Sequence, residues 1–151
     1  MNKYIGLALE EAKKGMLAGK GGPFGAVVVK DGNVLSIASN EVLSSNDPTA
    51  HAEILAIRRA SIKLKNYDLS GCIIYATGKP CPMCLAAIIW ANIKQVYYSA
   101  SDEEAEKIGF RDSMIFRHIR GEESILEMNQ IESEAVLALY EKYSKLGKIT
   151  Y

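Results

Sequence analysis

Two short motifs, His51-Ala-Glu53 and Pro80-Cys-Pro-Met-Cys84, constrain the fold of this chain more than any other feature of its sequence. A neutral imidazole and two thiolates are ligands that zinc prefers, and a Cys-x-x-Cys pair is a recurrent way to present two of them. Three protein ligands leave the fourth tetrahedral position for water, as in catalytic zinc sites. We therefore expect the fold to bring His51, Cys81 and Cys84 together around one Zn²⁺.

The remaining residues of these types favour an open, catalytic site over a closed, structural one. The chain contains two His and three Cys, so Cys72 and His118 are the spare candidates for a fourth ligand. Cys72 lies in an apolar run typical of a buried strand, where a free Cys is usually inert, and His118 lies between arginines on an expected surface. Zinc in an open site lowers the pKa of a bound water to about 7. Glu53, two positions after His51, is then placed to move protons beside the metal without binding it.

Length and composition indicate one globular domain over residues 1–151. A chain of 151 residues, 48% hydrophobic and 24% charged, can bury a core without disulfides. Its formal net charge of zero gives no overall attraction to nucleic acid or to an anionic membrane. The cysteine spacing favours a reducing compartment, the charged first segment argues against a signal peptide, and no apolar run reaches the roughly 18 residues of a membrane span. We therefore expect a cytoplasmic domain that binds neither membrane nor nucleic acid.

Hydrophobic periodicity and turn residues predict helices that alternate with strands. A helix capped by Asn2 is expected to end at Gly19, and further helices are expected over about 50–62, 81–91, 101–108 and 132–146. Strands are expected over about 23–30, 34–38, 72–76 and 95–98, with Asp31-Gly32 as a hairpin turn between the first two. Residues 40–48 and 109–115 are expected to be irregular. This order predicts an α/β sandwich with a mixed sheet between helix layers.

Longer motifs around the ligand candidates resemble those of the cytidine-deaminase superfamily. The zinc motifs are Thr49-Ala-His-Ala-Glu53 and Lys79-Pro-Cys-Pro-Met-Cys84, which match the H-x-E and P-C-x-x-C pattern of zinc deaminases. The wider match resembles the bacterial guanine deaminases of this superfamily. It rests on Gly22-Pro-Phe-Gly-Ala-Val27, Ser45-Asn-Asp-Pro-Thr-Ala-His51, Ala56-Ile-Arg58, Gly109-Phe-Arg-Asp-Ser113 and Ile115. One position departs from the family pattern, because Lys79 stands where the family usually has Glu.

The resemblance implies a three-layer α/β/α sandwich with a five-stranded mixed sheet. It also implies hydrolytic deamination of guanine to xanthine and ammonia, with one Zn²⁺ per subunit on the three ligands named above and Glu53 as the group that transfers protons. Tyr151 resembles the terminal aromatic residue that closes over the substrate of a partner subunit. That likeness implies a homodimer in which the C-terminal segments are exchanged.

The resemblance assigns three further contacts with a purine base, and each has a plainer interpretation. Asn40 would hydrogen-bond the base through its amide, although by itself it would be a turn residue. Phe24 would stack on the ring, or else pack in the core. Asp112 would sit near the substrate amino group as a second proton-transfer carboxylate, or else cap a short helix. For Tyr151 the plainer interpretation is a frayed terminus.

Other classes of function remain open on sequence alone. A structural zinc module or a thioredoxin-like redox pair would use Cys81 and Cys84, but it leaves His51 and Glu53 unexplained. A tRNA adenosine deaminase would share the zinc motif and would need a basic footprint for RNA, which the balanced charge disfavours. That branch carries a Lys-Thr-Gly-Ala-like segment where this chain has residues 109–113. Deamination of cytosine or guanosine would share the same metal chemistry, and pocket shape decides among these substrates.

Overall fold

A four-stranded mixed sheet lies at the centre of the computed structural model, which describes residues 2–151. The strands are β1 (Gly25–Lys30), β2 (Asn33–Ser39), β3 (Cys72–Gly78) and β4 (Gln95–Ala100). The helices are α1 (Lys3–Leu17), α2 (Val42–Ser45), α3 (Ala52–Leu64), α4 (Pro82–Trp90), α5 (Asp102–Lys107), α6 (Asp112–Ile119) and α7 (Glu134–Lys145). The strand order is β2-β1-β3-β4; β1 runs antiparallel to β2 and β3, and β3 runs parallel to β4.

Helices cover both faces of this sheet, as the sequence predicts. Successive side chains of a strand point to opposite faces, and β1 follows this rule with residues 25–29 buried and Lys30 half-buried. Ala26 and Val28 pack in a core that includes residues of α3 and α4. Val27 and Val29 pack on the other face in a second core, which includes Ala8 of α1. The expected α/β sandwich with a mixed sheet is therefore confirmed.

Small residues let α1 lie close against the first strand. An ideal Cβ added to Gly25 would come to 2.0 Å from the carbonyl oxygen of Ala8, so a side chain at this position would collide with the backbone of α1. The helix begins where the sequence predicts, because the side chain of Asn2 accepts hydrogen bonds from the backbone N–H groups of Tyr4 and Ile5. The absence of a side chain at Gly25 thus sets the spacing between α1 and the sheet.

The expected fifth strand is not formed, and this part of the prediction is wrong. Within residues 2–151 the sheet has four strands, and β4 is an edge strand. The chain leaves β4 into α5, whose start is fixed by a capping box between Ser101 and Glu104. Segment 121–133, which follows α6, pairs with no strand of its own chain, and every residue from 124 to 151 is exposed. A fifth strand needs a partner beside β4, and this chain does not place one there.

Two segments that we expected to be irregular contain short helices. Residues 109–115 include the start of α6, and residues 40–48 include α2. Both helices are too short, at eight and four residues, to show a clear repeat of apolar residues in the sequence. The other predicted elements are found, and Asp31 and Gly32 form the hairpin turn with positive φ values of 49° and 77°. Throughout residues 2–151, every helix is either too short or too polar to span a bilayer.

Candidate active site

The N-termini of α3 and α4 bring the three predicted metal ligands together. His51 is the N-cap residue of α3, Cys81 is the N-cap residue of α4, and Cys84 lies in the first turn of α4. The Nδ1 atom of His51 is 3.6 Å from Sγ of Cys81 and 3.5 Å from Sγ of Cys84. All three donor atoms lie within 4.8 Å of one another.

These distances fit a tetrahedral zinc ion. Zn–N and Zn–S bonds of about 2.0 and 2.3 Å at the tetrahedral angle place N and S about 3.5 Å apart, close to the two observed separations. Both cysteines are buried, as suits ligands shielded from exchange with solvent. No second group of three His, Cys, Asp or Glu side chains converges in this way within residues 2–151. The donor set therefore suits a zinc site with three protein ligands.

The two spare ligand candidates lie outside this cluster. Cys72 is buried at the start of β3 and packs in the core, as expected. His118 was expected on the surface, but it is half-buried in α6. Its Nδ1 atom lies 3.1 Å from the carbonyl oxygen of Glu123 and 3.2 Å from the backbone nitrogen of Ile125. Its hydrogen bonds hold the chain after α6 and have no part in the metal site.

The metal-free cluster already favours one thiolate. A hydrogen bond from the Cys84 thiol, together with one from His51, lowers the pKa of Cys81 to about 4. The same bond to Cys81, together with burial, raises the pKa of Cys84. Helix N-termini favour negative charge on the groups beside them. Because zinc binds thiolates, metal uptake would release the proton that this pair of thiols shares.

Glu53 lies beside the cluster in the first turn of α3, and its side chain is buried. Burial raises the pKa of this carboxyl group to about 7. A group with a pKa near the working pH can both accept and release a proton during turnover. Glu53 is therefore suited to general acid–base catalysis.

A small cavity of about 30 Å³, open to solvent at its mouth, adjoins the ligands. Its walls combine two aromatic rings with carboxylate, amide and ammonium groups, which suits a flat, polar ring. The residues around it are Phe24, Asn40, His51, Glu53, Lys79, Cys81, Phe110 and Asp112.

Two predicted substrate-binding residues, Asn40 and Phe24, and the predicted catalytic residue Asp112 line this cavity. The Oδ1 atom of Asn40 accepts a hydrogen bond of 3.1 Å from the Val42 backbone N–H. Asn40 is therefore also a turn residue, which was its alternative interpretation. The ring of Phe24 meets that of Phe110 edge to face, with centroids 4.6 Å apart. Asp112 is the first residue of α6, and burial, followed by the negative charge of Cys81, raises its pKa.

Tyr151 lies outside the cavity of its own chain. It lines an apolar groove between α3 and α4, with its ring centroid 6.1 Å from those of Tyr67 and Trp90. The side chain is 78% exposed. Its expected role as a lid on a partner subunit stays a prediction.

Sequence reasoning gave no role to two residues of the cavity wall. Phe110 belongs to the Gly109–Ser113 motif, so the motif itself contained the signal for its place beside Asp112. Lys79 stands next to the second ligand motif, and its Nζ atom is 3.0 Å from Oδ2 of Asp102. Lys79 lines the cavity together with Glu53 and Asp112.

Replacement of Cys84 by Ala should abolish tight zinc binding, because two protein ligands remain. We expect the purified wild-type chain to contain one zinc per subunit and the variant to lose at least about 100-fold in zinc affinity. Cys72→Ala is the matched control, since it removes the remaining thiol at a site away from the cluster. Metal analysis and competition with a chelator measure both. Equal zinc affinity in Cys84→Ala and wild type would contradict the assignment.

Comparison with known proteins identifies the family of the chain. A family model described as the cytidine and deoxycytidylate deaminase zinc-binding region matches residues 1–100. Guanine deaminase of Bacillus subtilis (strain 168) is 50% identical over 116 residues, which are 77% of this chain and 74% of that protein. An X-ray structure of guanine deaminase from Bacillus subtilis covers 100% of this chain and 99% of its own, with a TM-score of 0.92 and 41% identity. A tRNA-specific adenosine deaminase of Aquifex aeolicus (strain VF5) is 43% identical over 101 residues, which are 67% of this chain and 66% of that protein. The expected resemblance is confirmed, and the chain belongs to the family of zinc-binding cytidine and deoxycytidylate deaminases.

Proposed function

We propose that this protein hydrolyses guanine to xanthine and ammonia with the help of zinc. The observation that carries the proposal is a cavity beside the His–Cys–Cys cluster that contains the buried carboxyl of Glu53, the half-buried carboxyl of Asp112 and the Phe24 ring. Guanine is favoured over other bases by the likeness to the guanine deaminase of Bacillus subtilis, which extends over the whole chain. The likeness to the tRNA-specific adenosine deaminase covers a smaller part of the chain.

The residues of the cavity can perform each proton transfer that the reaction needs. His51, Cys81 and Cys84 would hold zinc, which when bound supplies a nucleophilic water at neutral pH. Glu53 accepts the proton that this water loses as its oxygen bonds to C2 of the base. The protonated Glu53 then donates to a ring nitrogen beside C2. Glu53 would then take the proton of the hydroxyl group now on C2 and pass it to the amino group, which leaves as ammonia as the C2–N bond breaks and the C2 carbonyl of xanthine forms.

Asn40, Phe24 and Asp112 orient the base for this chemistry. The amide nitrogen of Asn40 remains free to donate to the base, because Oδ1 is the atom that Val42 uses. The Phe24 ring offers a stacking surface and is itself braced by Phe110. Asp112 lies close enough to the ligands for the charge of Cys81 to affect its pKa, which suits a group that contacts the leaving amino group.

We also propose that two copies of the chain exchange their C-terminal segments to form a homodimer. Helix α7 buries no side chain in its own chain, and its apolar residues Val136, Leu137, Leu139 and Tyr140 are exposed. An amphipathic helix of this kind needs a surface to cover its apolar side. One edge of β4 is unpaired within its own chain. Segment 121–133 of a partner subunit would add a fifth strand at this edge. This arrangement would bring Tyr151 to the partner's cavity.

A reducing compartment suits the three free thiols, so we place the enzyme in the cytoplasm.

The substrate proposal predicts that zinc-loaded protein releases ammonia from guanine and forms xanthine. Guanosine, adenine, adenosine, cytosine and a tRNA anticodon stem-loop should each show a kcat/KM at least about 100-fold lower, because each leaves a polar group of the cavity unpaired or does not fit. Ammonia release and chromatography of the products measure all six. Turnover of the RNA instead of guanine would contradict the substrate and leave the zinc chemistry in place.

The exchange of C-terminal segments predicts complementation between two inactive variants. One chain lacks Tyr151 and keeps its own cavity; the other carries Glu53→Gln and keeps its tail. Each alone should turn over guanine at least about tenfold more slowly than wild type. Random assortment makes about half of the dimers mixed, each with one complete site, so an equal mixture should regain about a quarter of the wild-type rate. Absence of any gain on refolding the two together would contradict a lid that acts on the partner subunit.

A further inference from the structure

Lys79 attaches the loop that carries Cys81 to the start of α5. Its backbone N–H donates a hydrogen bond of 2.8 Å to the carbonyl oxygen of Ala100, the last residue of β4. Its ammonium group lies 3.0 Å from Oδ2 of Asp102, which is the first residue of α5 and follows Ala100 by two positions. The Asp102 side chain is 13% exposed, so this ion pair is better shielded from solvent than a typical surface pair.

The same ammonium group also contacts α6. It lies 4.9 Å from the centroid of the Phe116 ring, within the range of a cation–π interaction. Phe116 follows Asp112 by four positions in α6, and residues four apart share one side of a helix. Lys79 therefore contacts the side of α6 that turns Asp112 toward the cavity.

α6 packs against α5 and α4 and is half-buried over residues 112–118. None of its residues is fully buried. Phe110 packs on Phe24 just before the helix begins, and Arg117 lies 3.8 Å from Glu106 of α5. Because the helix contributes no buried residue to the core, a lost contact should let it shift without unfolding the sheet.

We propose that Lys79 is a positioning residue. Its ammonium group, held by Asp102, fixes the distance between α6 and the ligand loop and so keeps Asp112 at the substrate. The inference rests on the proposed function, in which Asp112 contacts the leaving amino group. Because Lys79 acts through Asp112, replacing Lys79 should lower kcat only in a chain that keeps the Asp112 carboxyl group.

A double-mutant cycle tests this coupling. Lys79→Met should lower kcat about 10-fold with little change in KM and unchanged zinc content, since a misplaced group of about 1 Å costs up to 100-fold. Lys79→Arg, which keeps the charge, should retain most of kcat. In a chain that carries Asp112→Asn, the further change Lys79→Met should cost less than about twofold, because coupled residues are non-additive. Lys107→Met is the matched control, as an exposed lysine of α5 with no ion pair within 4 Å among residues 2–151.

Three results would each overturn the inference: an equal loss from Lys79→Met in both backgrounds, no loss in the wild-type background, or full activity of Asp112→Asn. Asp102→Asn provides a second route if Lys79→Met does not fold, since it frees the ammonium group and should lower kcat to a similar extent. The cycle is measured on whichever base the wild-type chain deaminates. If the wild-type chain deaminates another base but not guanine, the proposed substrate is wrong. The cycle measured on that other base still decides the role of Lys79.

Discussion

The convergence of two helix N-termini on one metal is the interaction on which the rest of this structure depends. α3 and α4 lie on the same face of the sheet, and their first residues supply an imidazole and two thiolates at the spacing that zinc requires. The helix ends stabilise the negative charge of the thiolates. The same geometry carries Glu53 into the site, because it lies in the first turn of α3. One packing arrangement thus brings together the three expected metal ligands, Glu53 and the cavity.

The C-terminal part of the chain differs physically from this framework. Residues 2–100 form the sheet and both cores, whereas every residue from 124 to 151 is exposed. An apolar helix side with nothing against it is not stable in water on its own. A partner subunit would cover α7, extend the sheet beyond β4 and bring a terminal tyrosine to the cavity. The catalytic framework is local to one chain, and the closure of its cavity would then depend on two.

The sequence predicted the parts of the site that depend on short-range spacing. His51, Glu53, Cys81 and Cys84 were identified from the His-x-Glu and Cys-x-x-Cys spacings, which present zinc-ligand residue types beside a carboxyl group. The sequence pattern predicted four strands and all four are found, whereas the fifth strand was implied only by the family resemblance. The contacts of Lys79 could not be read from such a pattern. They join three elements that are adjacent in the structure and separated along the chain.

Replacement of Glu53 shows whether this carboxyl group transfers protons for a reaction at the zinc site. Zinc content and xanthine formation should be measured on the same preparation of Glu53→Gln, with the exposed Glu103→Gln as its matched control. We expect full zinc occupancy and a loss of at least about 100-fold in kcat for Glu53→Gln, with no loss for Glu103→Gln. Turnover within a few-fold of wild type in a fully zinc-loaded Glu53→Gln protein would contradict this role of Glu53.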